Sequence, residues 1–187
     1  MSKTIIVYII VGVIIVLMFF CNRKVCVLPI IKRQMQVFKN AKTQKTSIWD
    51  IITFIVLPFV LSIIVVWIFK IVIGVDLASV LTTVFAFVFT MLFGFATILV
   101  GKVESENEIE KQIVQETLLS IITSNILSLV TSVLSVSLII VKNEIMISVL
   151  STLVFYASFI IILLLLLVSK RFFRVIFYEN SIGSEEN

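Results

Sequence analysis

Ser120, Ser124, Ser128 and Ser132 recur at every fourth residue inside an apolar stretch, with Asn125, Thr131 and Ser135 beside them in helical projection. At about 100° per residue, these seven positions cover about 140° of one helix surface. Their types fit two kinds of chemistry. Small residues four apart let helix backbones approach closely, and their hydroxyls and amides bond across the contact for about 0.6 kcal/mol each on average. The same polar groups would also line a water-filled path. Packing is the expected role, within a helix bundle or between copies of the chain as a homo-oligomer. Nucleophilic catalysis needs a Lys or His at the same depth to take the serine proton, and the stretch contains neither.

Other catalytic chemistry is missing as well. The chain has no His, which removes the commonest general base and metal ligand. Cys21 and Cys26 are too few for a four-ligand zinc site and are expected to be reduced thiols that pack. Gly-rich phosphate loops, nucleophile elbows and paired carboxylates within a span are all absent. No catalytic residue, metal site or cofactor is therefore expected, and the chain is read as not being an enzyme.

The charged residues fall into patches. Between Val103 and Glu116, Glu104, Glu106, Glu108, Glu110 and Glu116 stand against one Lys111 without Gly or Pro, so 102–117 is expected to extend the following span as an acidic cytoplasmic helix. It reads as a solvated helix end or as a docking surface for a basic partner, the chain's own basic linker included. Lys32 and Arg33 lie on a short amphipathic segment opened by Pro29, and Lys170, Arg171 and Arg174 share one side of a basic, aromatic tail. Both segments suit the inner leaflet, where anionic lipid attracts each basic residue by about 1 kcal/mol. Ordinary charge flanking of membrane spans explains them equally well.

The elements that carry these residues follow from hydropathy. The chain is 60% hydrophobic and 14% charged, with mean hydropathy +1.24, so bilayer rather than water is its expected solvent. Five stretches, 4–20, 51–69, 77–100, 118–141 and 145–168, have the length a hydrocarbon core of about 30 Å demands. They lack the alternation of a barrel strand, so the fold class is all-α, a polytopic transmembrane helical bundle. Four spans remain if the first does not cross. The expected organisation is an N-terminal membrane anchor at 1–20, a basic cytoplasmic linker at 21–50, a four-span bundle at 51–168 and a cytoplasmic tail at 169–187. Pro58 is expected to kink the second span, and Gly94 to allow close contact in the third.

Lys and Arg set the orientation. Lys3, Lys70 and Lys142 fall on one side, whereas the alternate segments hold the other twelve of the fifteen. The richer side belongs in the cytoplasm, which puts the N-terminus outside and the C-terminus inside the bacterial inner membrane. No ionisable residue lies at membrane depth, where a coupled transporter or proton path would place one. The +4 net charge is accounted for by this flanking, so no direct nucleic-acid binding is expected.

The layout of one anchor, two tight hairpins and the tail Lys170-Arg-Phe-Phe-Arg-Val-Ile-Phe-Tyr178 resembles that of small polytopic bacterial membrane proteins. It is similar in plan to the membrane subunit of Kiwa-type anti-phage defence systems. The resemblance is one of hydropathy outline over the whole chain and carries over no residue. It implies a sensor of phage-induced membrane perturbation that works with a cytosolic, nucleic-acid-acting protein. The residues themselves support a non-enzymatic, oligomeric membrane component with a cytosolic protein partner; the alternatives are a pore-forming or holin-like protein that depolarises the membrane, and a small-solute permease.

Overall fold

The computed structural model describes residues 48–101 and 108–183, with side chains at 49, 51–101 and 111–173. The expected first span and basic linker, with Lys32 and Arg33, lie outside the described residues, as do Glu104 and Glu106. Four helices make up the described chain. The segments Ile48–Ile51, Ile52–Val56, Leu57–Ile63 and Ile64–Ile68 run on as one helix, α1, followed by α2 (Val75–Val100), α3 (Glu108–Ile140) and α4 (Glu144–Gly183). Helices α2, α3 and α4 are long and apolar enough to cross a membrane, and 52–68 of α1 is a shorter apolar helix.

Short connections force neighbouring helices to run antiparallel. One apolar cluster joins Leu92 and Leu99 of α2 to Val114 and Ile121 of α3 and Val168 of α4. A second, at the other end, joins Ile73 and Ala78 to Leu138 and Val154. Helix α3 packs along both α2 and α4, while α1 lies on α4.

The packing follows a seven-residue period. In α2 the buried side chains are Ala78, Phe85, Leu92 and Leu99. In α3 one buried series, Val114, Thr117, Ile121, Ser124, Ser128, Thr131, Ser135 and Leu138, advances by alternate steps of three and four, with Ser120 and Asn125 buried beside it. Such a repeat averages 3.5 residues per turn, which keeps one seam facing its neighbour in a left-handed bundle. Leu92 and Leu99 of α2 meet Val114 and Ile121 of α3, Ala78 meets Leu138 at the other end, and the buried turns of α3 in between carry Ser and Thr.

The surface is reversed relative to a water-soluble bundle. Phe87 and Phe93 are each 64% exposed and Leu166 is 62% exposed, whereas six hydroxyl residues of α3 are fully buried. Water would drive the large apolar groups inward. Lipid has no such preference, and small residues then win the interior because they permit close approach. The described helices are those of a membrane protein.

Helix α1 departs from regular geometry around Pro58. The proline has no N–H, and its ring would meet the carbonyl of Phe54 in a regular turn. The chain relieves this by a π-helical turn at Ile52–Val56, where the Leu57 N–H donates to the Ile52 carbonyl five residues back. A second wide turn, Ile64–Ile68, takes in most of the β-branched run Ile63 to Val66. Lys70 then takes φ 53°, and the Ile71 N–H reaches the Val65 carbonyl at 3.1 Å, which ends the helix.

Gly94 lies on the exposed face of α2, and a Cβ placed on it would meet nothing within 4 Å, so it serves no contact among the described helices. Helix α4 continues without a break from Glu144 to Gly183, so the backbones of Lys170, Arg171 and Arg174 belong to the same helix as the last expected span.

Removing side-chain volume from the seam leaves a cavity, and that cost persists in lipid even though the transfer part largely cancels. Ile121→Ala is expected to cost about 2 kcal/mol and lower the thermal midpoint in detergent by roughly 4–8 °C, while Phe87→Ala on the outer face shifts it by less than about 2 °C.

Candidate functional site

The hydroxyl residues of α3 sit inside the single chain, between α2 and α4. Ser120, Ser124, Ser128, Thr131 and Ser135 are fully buried, Asn125 is nearly so, and Ser132 is half-buried. Most of these groups satisfy themselves. Ser120 Oγ donates to the Glu116 carbonyl at 3.0 Å, Ser124 Oγ to Ser120 at 2.9 Å, Thr131 Oγ1 to Leu127 at 2.7 Å and Ser135 Oγ to Thr131 at 2.9 Å. Each bond returns to the previous turn, so the hydroxyl is buried without needing a donor or acceptor from another helix. Ser132 differs, donating across the seam to the Thr82 carbonyl of α2 at 3.3 Å.

At the α2–α3 end of the bundle, the charged segments of α3 and α4 meet. Arg171 Nη2 lies 3.3 Å from Glu116 Oε2, with the two side chains 17% and 34% exposed. Gln112 Nε2 donates to the other carboxylate oxygen of Glu116 at 3.1 Å. Next to the pair, Phe172 stacks at a tilt on Phe95 of α2, with ring centroids 5.7 Å apart. Three helices are thus tied at one rim by an ion pair and an aromatic contact. Lys170, beside Arg171, is exposed. The side chains of Glu108, Glu110 and Arg174 lie outside the described set, although their backbones belong to α3 and α4.

The opposite rim is plainer. Asp76 and Glu144 occupy first helical turns, where a carboxylate favours the helix dipole. Asn143 Oδ1 accepts the N–H groups of Ile145 and Met146 at 3.0 and 3.3 Å, capping α4. Nearby, Ser151 Oγ accepts the buried Ile73 N–H at 3.0 Å, and Trp67 Nε1 donates to Thr152 Oγ1 at 3.2 Å, which fixes the α1–α2 connection to α4. Among the described residues no group of three His, Cys, Asp or Glu gathers to hold a metal.

The Glu116–Arg171 pair escaped the sequence reading, which grouped the two residues with different patches. Its signal lay in the hairpin: Glu116 and Arg171 stand 27 and 28 residues on either side of Asn143 in a tight turn, so antiparallel packing brings them level. Comparison of the chain with family models, with curated proteins and with solved structures found no match.

Two results test this geometry. Glu116→Gln and Arg171→Gln should each destabilise the bundle, and the double variant should lose less than the sum, with a coupling of about 1 kcal/mol in thermal melts. Ser124→Leu forces four-carbon bulk into a closed seam and should cost about 1–3 kcal/mol, whereas Ser79→Leu on the exposed face of α2 should leave the melt unchanged.

Proposed function

We propose that the chain is a non-enzymatic component of a bacterial inner membrane, with five spans, an external N-terminus and an internal C-terminus. It assembles with copies of itself, senses perturbation of the surrounding lipid and recruits a cytosolic protein. The observation that carries this reading is the Glu116–Arg171 contact, which joins the acidic end of α3 to the basic end of α4 in one charged rim. A rim of this kind is suited to reading its surroundings. Anionic headgroups attract Lys170 and its basic neighbours, a basic protein attracts the acidic end of α3, and either one competes with the ion pair that ties the helices together.

The orientation rests on the twelve-to-three partition of Lys and Arg, which assigns the Glu116–Arg171 rim to the cytoplasm and the Asp76, Lys142 and Glu144 rim to the exterior. Participation in anti-phage defence is the part of the proposal that rests on the resemblance in layout.

Purification of the tagged chain from native membranes should bring down a cytosolic protein. Charge reversal at Glu104, Glu106, Glu108 and Glu110 should release that protein while leaving the bundle's melting unchanged. Overexpression should leave the membrane potential intact. Prompt depolarisation, with no protein captured, would instead establish the pore-forming alternative.

A further inference from the structure

One buried pair on α3 breaks the pattern of its neighbours. Asn125 Oδ1 and Ser128 Oγ are both enclosed and have no hydrogen-bond partner in the protein. Asn125 is 8% exposed and Ser128 fully buried. Three residues apart on a helix, they are neighbours on one face. Every other fully buried hydroxyl of α3 returns to the preceding turn, from Thr117 to Ser135. Ser128 does not, which leaves the second lone pair of the Ser124 carbonyl without its usual hydroxyl.

No side chain of either flanking helix hydrogen-bonds the two atoms, and Ser158 of α4, close to level with Ser128, donates instead to the Val154 carbonyl. The Ser132–Thr82 bond sets the antiparallel register, which puts Asn125 about level with Phe89, between the buried Phe85 and Leu92 of α2. Hydrocarbon there offers no donor, and a polar group left bare at this depth is expensive. The missing partner must therefore donate to an amide oxygen, pair with a hydroxyl and fit where the seam carries Ser and Thr rather than Leu.

We propose that Asn125, Ser128 and the Ser124 carbonyl hold one buried water molecule at mid-depth of the bundle. Its two O–H groups donate to Asn125 Oδ1 and the Ser124 carbonyl, and its oxygen accepts the Ser128 hydroxyl. Three such bonds are the usual complement of a structural water. The site is an internal hydration point in the α2–α3 seam, independent of any partner at the rim.

The test uses the full chain in perdeuterated detergent micelles. Magnetisation transfer from water should reach the Asn125 side-chain amide and the amides of Asn125 and Ser128, at a depth where the exposed face around Phe87 shows none. In thermal melts, Ser128→Ala and Asn125→Leu should each lower the midpoint by roughly 2–4 °C, and the double variant should lose clearly less than the sum. Absence of water contact at these groups overturns the proposal. So does a rise in midpoint for Asn125→Leu, which would mean that the two atoms are simply unpaired. Dissociation of an oligomer by Asn125→Leu, with the protomer's own melt unchanged, would assign the amide to a second copy and likewise overturn it.

Discussion

A polar backbone in hydrocarbon has nowhere to send its hydrogen bonds except into its own helix, and the rest of this structure follows from that constraint. It explains why the described chain is helical, why the irregular connections at 69–74 and 141–143 are short, and why the side-chain hydroxyls behave as they do. A buried hydroxyl faces the same demand as the backbone. Thr117, Ser120, Ser124, Thr131 and Ser135 meet it by bonding back to the preceding turn. They then act as small, closed surfaces that let α3 approach its neighbours closely, in the same seam where Leu92 and Leu99 of α2 meet Ile121 and Val114. Close approach replaces water exclusion.

The same constraint explains the division between interior and rims. Charge is confined to the helix ends, where water reaches, and there it does different work on the two sides. The Asp76 and Glu144 end uses its carboxylates and the Asn143 cap to start helices. The other end uses Glu116 and Arg171 to hold two helices together. An ion pair at a rim is a contact the environment can influence, because lipid headgroups and proteins carry the same charges. An apolar seam is not. This contrast is why the proposed sensing or recruiting role is located at the rim rather than in the span.

Much of the architecture was legible because it rests on composition. Runs of 19 or more apolar residues without charge announce long apolar helices, and the described α2, α3 and α4 are such helices. The four-residue spacing of Ser120 to Ser132 was equally visible, but the direction it faces was not, since that depends on which helices flank α3. Gly94 shows the limit of reasoning from residue type. Small residues permit close contact without requiring it, and this one lies on the open face of α2. Pro58 announced a disturbance but not its form, which includes a π-helical turn at Ile52–Val56. The pairing of Glu116 with Arg171 needed the antiparallel register, which emerges only once the turn at 141–143 is known to be tight.

Cysteine accessibility in spheroplasts tests the central claim most directly, which is that these helices thread a bilayer with the Glu116–Arg171 rim inside the cell. With Cys21 and Cys26 replaced by Ser, Lys142→Cys should react with a membrane-impermeant maleimide from outside, and Lys170→Cys only after the membrane is permeabilised. Labelling of position 170 in sealed spheroplasts, with position 142 protected, would contradict the account.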